Sequence, residues 1–198
     1  MVLHPFLKRS LLLLGCWMAF APCYALDSSD IPKLKAGTVL TIAAPAAGAP
    51  LQEMTITHVH SIRADGAVWY QIEGNYGDGK EGILYADFMT TPPKIEATVK
   101  KLALRNLVDR PRKFLDAVEE AEKGALVYEG APFLYANAES DEGVLERDGD
   151  KTSTQEFNYL VFIAKDNANL SIQIMRWDDD KFDTYLVKGV PPGDVKIR

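Results

Sequence analysis

Residues 67–88, AVWYQIEGNYGDGKEGILYADF, constrain the fold more than any other stretch of the chain. Val68, Tyr70 and Ile72 share one face of the first apolar run, because the side chains of a strand alternate with period two. The Gly-, Asn- and Asp-rich residues that follow tolerate the backbone conformations of a chain reversal, and apolar character resumes at Gly82. The stretch therefore predicts a β-hairpin made of half-buried strands.

Two further strands are predicted upstream, over residues 37–42 and 54–62. The order Gly-Thr-Val, Trp-Tyr-Gln-Ile, Asp-Gly-Lys-Glu-Gly-Ile-Leu-Tyr-Ala-Asp-Phe resembles the small bacterial SH3-like domain. The resemblance implies an antiparallel barrel over residues 34–91. Ile83 departs from the family pattern, which commonly has Trp there, and this departure argues against transferring the family's aromatic ligand groove.

The first 25 residues predict an export signal. Lys8 and Arg9 give a basic start, residues 11–21 are an apolar core, and Ala25 is the small residue that a signal peptidase requires. The apolar core is shorter than the roughly 20 residues of a membrane span, so we expect no transmembrane span in the mature protein and a location in the periplasm or cell envelope. A lipobox-like tetrad ending at Cys16 offers lipid anchoring as the alternative.

Removal of this signal would take away two basic and no acidic residues, which changes the net charge from −6 to −8. An acidic chain argues against nucleic acid as a partner, because binding it requires clustered Lys and Arg. Cys16 and Cys23 are the two cysteines of the chain and both lie in the signal. The mature protein would therefore have no disulfide and no cysteine nucleophile.

The pattern changes after the two prolines at 92 and 93, neither of which can donate to a strand ladder. Residues 94–107 favour a strand over a helix. From Asp109 onward apolar residues recur at helical spacing until Gly124, which predicts one helix. Strands are then predicted over residues 125–136 as a hairpin and over 157–164, 170–177, 182–187 and 195–197. We expect a loose polar leader at 27–31, a loop at 43–50 and an acidic, turn-rich connection at 141–154.

These elements predict a mainly β protein, all-β to α+β in class. An SH3-like barrel at residues 34–91 would be followed by a connector with one helix at 92–124 and by a second antiparallel β-rich unit at 125–198. The succession of a Tyr-Glu-Gly turn, a Leu-Ser-Ile-Gln-Ile strand, an acidic turn and a Gly-Val-Pro-Pro-Gly-Asp-Val-Lys-Ile ending resembles the bacterial domain of unknown function 4178 over most of the mature chain. That resemblance implies no catalytic residues.

Little in the sequence indicates catalysis or a cofactor. His58 and His60 would point the same way on a strand and could share a metal, but no third and fourth ligands can be assigned. The alternative is two partly buried histidines at a barrel rim, with ring nitrogens bonded to backbone. The run 178–180 with Asp183 could hold Ca²⁺ or form a solvated turn. A phosphate loop, a nucleophile elbow and an HExxH motif are all absent, so we predict neither an enzyme nor a cofactor.

Aromatic residues give the better indication of function. Trp69, Tyr76 and Tyr85 predict a patch suited to binding, with burial in a barrel core as the alternative. We therefore expect an exported, non-catalytic binding protein of the bacterial cell envelope, with a protein or a cell-wall component as partner. A second hypothesis is an acidic inhibitor or immunity-type protein that blocks an extracytoplasmic enzyme, based on the net charge and the acidic turns.

Overall fold

The computed structural model describes residues 24–43, 51–64, 66–149, 153–179 and 181–198. The mainly β class is confirmed, with thirteen strands and one α-helix in these residues. The elements are β1 Tyr24–Ala25, β2 Val39–Ile42, β3 Gln52–Ala64, β4 Ala67–Tyr76, β5 Glu81–Asp87, β6 Lys94–Leu102, α1 Pro111–Ala121, β7 Ala125–Tyr128, β8 Ala131–Tyr135, β9 Asp141–Glu146, β10 Thr154–Ala164, β11 Asn167–Trp177, β12 Phe182–Val190 and β13 Val195–Ile197.

Eight of the strands close an antiparallel barrel in the order β3-β4-β5-β6-β12-β11-β10-β9, with β9 pairing back to β3. The barrel consists of two four-stranded meanders, β3 to β6 and β9 to β12. Their first strands pair with each other and their last strands pair with each other, both antiparallel. This pairing pattern has an approximate two-fold symmetry. The closed barrel is thus not confined to residues 34–91 but takes half of its strands from residues 141–190.

Strand β9 lies where the sequence predicted an acidic connection, and that prediction was wrong. Leu145 pairs with Gln155 of β10 on one side and with Ile62 of β3 on the other. The two neighbouring strands satisfy the backbone groups of β9, so its strand conformation does not require a strongly apolar sequence. Glu146 reinforces the contact with β3 by accepting hydrogen bonds from Ser61 at 3.0 Å and from Arg63 at 3.3 Å.

The large apolar clusters lie outside the barrel wall. One cluster covers the outer face of β3 to β6, where Ile72, Leu84 and Ile95 pack under β2 and β13. The other covers the outer face of β10 to β12, where Leu160, Ile172 and Ile174 pack with α1 and the β7–β8 hairpin. Hydrophobic burial on these outer faces is the main source of packing for the sheet.

Helix α1 lies within the predicted span, but it ends at Ala121 rather than at Gly124. Leu115 and Val118 are buried and face the sheet, and the chain leaves the helix through Glu122 in a left-handed conformation. Gly124 approaches the helix so closely that a Cβ atom there would lie 2.5 Å from Val118. The close approach explains why glycine occupies this position.

The polar segment at residues 27–31 was expected to be loose, and the structure corrects this. Leu26 and Ile31 are buried in the first outer cluster, and the Leu26 N–H donates to the Val195 carbonyl at 2.9 Å. The strand β1 that precedes them pairs with β13. The predicted signal up to residue 23 and most of the predicted loop at 43–50 lie outside the described residues.

Leu145→Ala tests the closure of the barrel by β9. Leu145 is 2% exposed and packs in the barrel interior, so we expect the free energy of unfolding to fall by about 2–4 kcal/mol. Urea denaturation followed by circular dichroism measures the change. The outward-facing neighbour Val144 provides the control, since Val144→Ala should cost less than about 1 kcal/mol. Equal losses for the two variants would contradict the assigned register.

Candidate binding site at the barrel mouth

The barrel interior, or lumen, contains both apolar and polar side chains. Ile62, Leu145, Phe157, Met175 and Val187 form its apolar part. The strand register places polar side chains on the same lumen face: His60, Gln71, Glu73, Glu96, Ser171 and Gln173. On β4, the side chains that alternate with Tyr70 and Ile72 therefore point into the lumen.

The lumen opens at one end into a cavity of about 680 Å³, which we call the barrel mouth. Its floor includes Gln71, Glu73 and Met175. Its wall and rim come from the β11–β12 turn with the adjoining strand ends, from the start of β10, from the residue just after β9 and from the segment that runs from the end of β6 to the start of α1. The residues are Leu102, Ala103, Leu104, Arg105, Pro111, Arg147, Gln155, Trp177, Asp179, Lys181, Phe182, Asp183 and Tyr185. This volume lies within the range of pockets that hold small organic ligands.

Most charges at the mouth are paired. Asp179 pairs with Lys181 across the β11–β12 turn. Asp183 pairs with Lys101 at 3.0 Å and accepts a hydrogen bond from the Trp177 indole at 2.9 Å. The hydrogen bond to Asp183 raises the pKa of Lys101. These contacts hold the Trp177 ring against the mouth.

Two guanidinium groups at the mouth differ from the other charges. Within the described residues, neither Arg105 nor Arg147 has a carboxylate at ion-pair distance, although Arg147 donates to the Gln155 side chain at 2.8 Å. Both side chains belong to exposed residues. The lining of the mouth therefore carries as many basic as acidic residues, three of each, and Arg105 and Arg147 are its two cations without an ion-pair partner among the described residues.

The carboxylates inside the lumen are held by polar neighbours. Glu73 accepts a hydrogen bond from Gln71 at 2.7 Å and lies 3.5 Å from the His60 ring. The hydrogen bond with His60 is the main reason that the pKa of Glu73 is lowered, against the opposing effect of burial. Glu96 accepts from Gln173 at 2.8 Å, and burial raises its pKa. Glu73 is thus favoured as an anion, whereas burial works against the charge of Glu96.

Several buried polar atoms of the lumen have no hydrogen-bond partner among the described protein atoms. They are the amide oxygens of Gln71 and Gln173, the Tyr85 hydroxyl and the Ser171 hydroxyl. Burial raises the pKa of Tyr85 well above its usual range, with Tyr185 and nearby carboxylates adding to the effect. Because buried polar groups in proteins are nearly always paired, the lumen is chemically suited to bound water or to polar groups of a ligand.

The two histidines lie side by side on β3, with ring centroids 5.7 Å apart. Asp148 anchors both. Its carboxylate lies 3.1 Å from Nδ1 of His58, and its backbone N–H donates to Nδ1 of His60 at 3.0 Å. A ring nitrogen bonded to backbone was the non-metal alternative from sequence, and His60 has that arrangement. Among the described residues no group of three or more His, Cys, Asp or Glu is arranged to hold a metal ion.

The three predicted aromatic site residues are not brought together in one exposed patch. Tyr85 is 4% exposed inside the lumen, and Trp69 contacts Tyr159 at 6.3 Å on the lumen face. Tyr76 faces the opposite side of β4 and covers Gly82, where a Cβ atom would lie 2.3 Å from its ring. Their proposed grouping is therefore corrected, because the barrel closes over the face that carries Trp69 and Tyr85.

The described carboxylates of the predicted Ca²⁺ site already have partners within the protein. Asp178 accepts from Gln155 at 3.4 Å, while Asp179 and Asp183 pair with lysines. Asp180 lies outside the described residues. Arg105, Arg147 and Trp177 were not predicted as site residues, and no local motif marks them. The signal for the lumen was the position of Gln71 and Glu73 on the strand face opposite Tyr70 and Ile72, which predicted only a half-buried strand.

Comparison with known proteins does not assign a family. The chain matches no protein-family model, and neither the curated proteins nor the solved structures include a significant match. The resemblances to the SH3-like domain and to the domain of unknown function 4178 therefore remain predictions. Within the described residues, no helix has both the length and the apolar character needed to cross a membrane.

The contacts of Asp148 predict different proton positions on the two histidines. His60 accepts at Nδ1, so its proton should reside on Nε2, facing Glu73. His58 should carry a proton on Nδ1, which points at a carboxylate. Long-range ¹H–¹⁵N NMR at neutral pH distinguishes these forms. An unprotonated Nδ1 on His58 or a protonated one on His60 would contradict the geometry.

The lowered pKa of Glu73 predicts an acid dependence of stability. Its pKa falls below the ordinary value of 4.5, so its contribution is present above that pH and is lost as the pH falls through the folded-state pKa. Glu73→Gln should therefore lose less unfolding free energy than the wild type between about pH 5 and pH 3. Urea denaturation across this range measures it. The exposed β5 residue provides a control, because Glu81→Gln should keep the wild-type dependence.

Proposed function

We propose that this chain is an exported, non-catalytic binding protein of the bacterial cell envelope, and that it binds its ligand in the barrel mouth. The cavity at the open end of a closed barrel is the observation that carries the proposal. The occupant would be a small molecule or an exposed group of a cell-wall component or protein. The predicted signal sequence supports the location, and the size and mixed lining of the mouth support the binding role.

Apolar and polar surfaces are both available to such a ligand. Met175, Leu145 and the Trp177 ring provide apolar contact, while Gln71 and Gln155 provide amide groups. Sites for small organic ligands typically combine an apolar lining with a few directed polar groups. The mouth therefore fits an amphipathic ligand better than a fully polar one.

The non-catalytic part of the proposal rests on the chemistry near the histidines. Within the described residues, the polar contacts of His58 and His60 are the Asp148 backbone and the carboxylates of Asp148 and Glu73. A hydroxyl nucleophile is not among these contacts. The histidines act here as structural supports that connect β3 to the residues after β9.

The inhibitor hypothesis receives less support from the geometry. Its motive was the acidic turns, yet Glu139 pairs with Lys94 at 2.6 Å and Asp179 pairs with Lys181. Neutralised carboxylates contribute less to the attraction of a basic enzyme than the sequence alone indicates. We therefore favour ligand binding in the mouth over electrostatic blocking by the turns.

Filling the mouth tests the proposal. The uncharged dye N-phenyl-1-naphthylamine should bind the wild-type protein with increased emission, because the mouth removes its rings from water. Ala103 is exposed and lines the mouth, so Ala103→Trp should reduce the affinity at least about fivefold without disturbing the core. Fluorescence titration of the folded variants measures this.

The matched control is Ala168→Trp, which adds the same ring at an exposed position in the β10–β11 hairpin. This control should bind the dye as the wild type does. Absence of binding to the wild type, or equal binding by both variants, would contradict ligand binding in the mouth.

A further inference from the structure

We propose that the barrel mouth selects amphipathic molecules with one anionic group, which Arg105 and Arg147 hold at the rim while the apolar body enters toward Met175 and Trp177. The ligand class is a small organic carboxylate, sulfonate or phosphate with an apolar or aromatic body. This inference rests on the proposed binding function and specifies its ligand.

The charged side chains at the rim differ in whether they form ion pairs. Lys181 is neutralised by Asp179, and Asp183 by Lys101, whereas Arg105 and Arg147 have no ion-pairing carboxylate among the described residues. Guanidinium groups bind carboxylate and phosphate with two parallel hydrogen bonds, and they do so best where no internal acid competes. In a chain of net charge −6, two such groups at one cavity form a distinct anion-binding feature.

Helix α1 has its N-terminus at the mouth. Pro111, its first residue, lines the mouth, so the positive end of the helix dipole lies at the cavity. The first turn carries no acidic residue and receives no side-chain cap. The same turn contains the basic Lys113, although acidic residues are the stabilising choice at this end. An anion in the mouth would compensate this arrangement.

The groups on the floor of the mouth determine which end of a ligand can enter. Glu73 lies on the floor and its pKa is lowered, so a second anionic group deep in the mouth would be repelled. Nearby, the Gln71 amide oxygen is buried without a partner and can accept a hydrogen bond from a ligand donor. The mouth therefore prefers a charge at the rim only. A dicarboxylate with groups at both ends should bind poorly.

The experiment compares two dyes with the same aromatic framework. 8-Anilinonaphthalene-1-sulfonate carries an anionic group, and N-phenyl-1-naphthylamine lacks it. We expect the wild-type protein to bind the sulfonate about tenfold more tightly than the uncharged dye, because a charge-assisted hydrogen bond contributes about that difference in affinity. The double substitution Arg105→Gln with Arg147→Gln should remove this preference and change the affinity for the uncharged dye less than about twofold.

The matched control variant removes the same charge elsewhere. Lys35 and Lys165 are exposed and do not line the mouth, so Lys35→Gln with Lys165→Gln should retain the preference. Raising NaCl from about 0.02 to 0.3 M should weaken binding of the sulfonate to the wild type and leave the uncharged dye unaffected. Decanoate should displace the sulfonate at concentrations where decanol does not.

The outcomes separate this inference from the proposed function. If both dyes bind the wild type equally and the Arg105→Gln, Arg147→Gln variant binds both as the wild type does, the anion preference is wrong and the binding function stands. Equal loss of preference in the lysine control would show a general charge effect and would also overturn the inference. If neither dye binds, the proposed function itself fails.

Discussion

The pairing of β9 with the distant strand β3 is the constraint on which the rest of the structure depends. Six residues join β3 to β10 and turn an open sheet into a closed barrel. Glu146, bonded to Ser61 and Arg63, reinforces this contact from the outside. The bonded residues are 85 and 83 positions apart in the chain. Closing so long a loop costs conformational entropy before the contacts that it allows can stabilise the fold. The lumen, the mouth and the positions of both histidines all follow from that closure.

The barrel places its strongest apolar packing on the outside and its polar chemistry on the inside. Two outer clusters bury Ile72, Leu84, Ile172 and many others, while the lumen contains Gln71, Gln173 and two partly buried carboxylates. A small barrel with side chains filling its interior normally relies on that interior for stability. Here the flanking strands and the helix supply it, which leaves the lumen free to carry groups that would weaken a conventional core. The division explains how a domain with unpartnered polar atoms in its interior can remain folded.

The sequence predicted most elements and the fold class, but neither the closure nor the site. The hairpin at residues 67–88, helix α1 and the strands of the second half follow from alternation, spacing and turn residues, which are local signals. Strand β9 has no such signal, since Asp141, Glu142 and Gly143 favour a turn and only its two neighbours make it a strand. The alternation that includes Gln71 and Glu73 predicts a half-buried strand, but it does not distinguish water outside a sheet from a polar lumen inside a barrel. Arg105 and Arg147 line the same cavity only after closure.

The two meanders pair as the subunits of a symmetric dimer would. First strand joins first strand at one seam, and last strand joins last strand at the opposite seam. Two identical four-stranded peptides related by a dyad through the barrel wall would associate with this same connectivity, as isologous dimers do. The single chain therefore has the strand connectivity of two joined four-stranded units. The segment between the halves, from α1 to the β7–β8 hairpin, takes the place of the free ends that a dimer would have at this point.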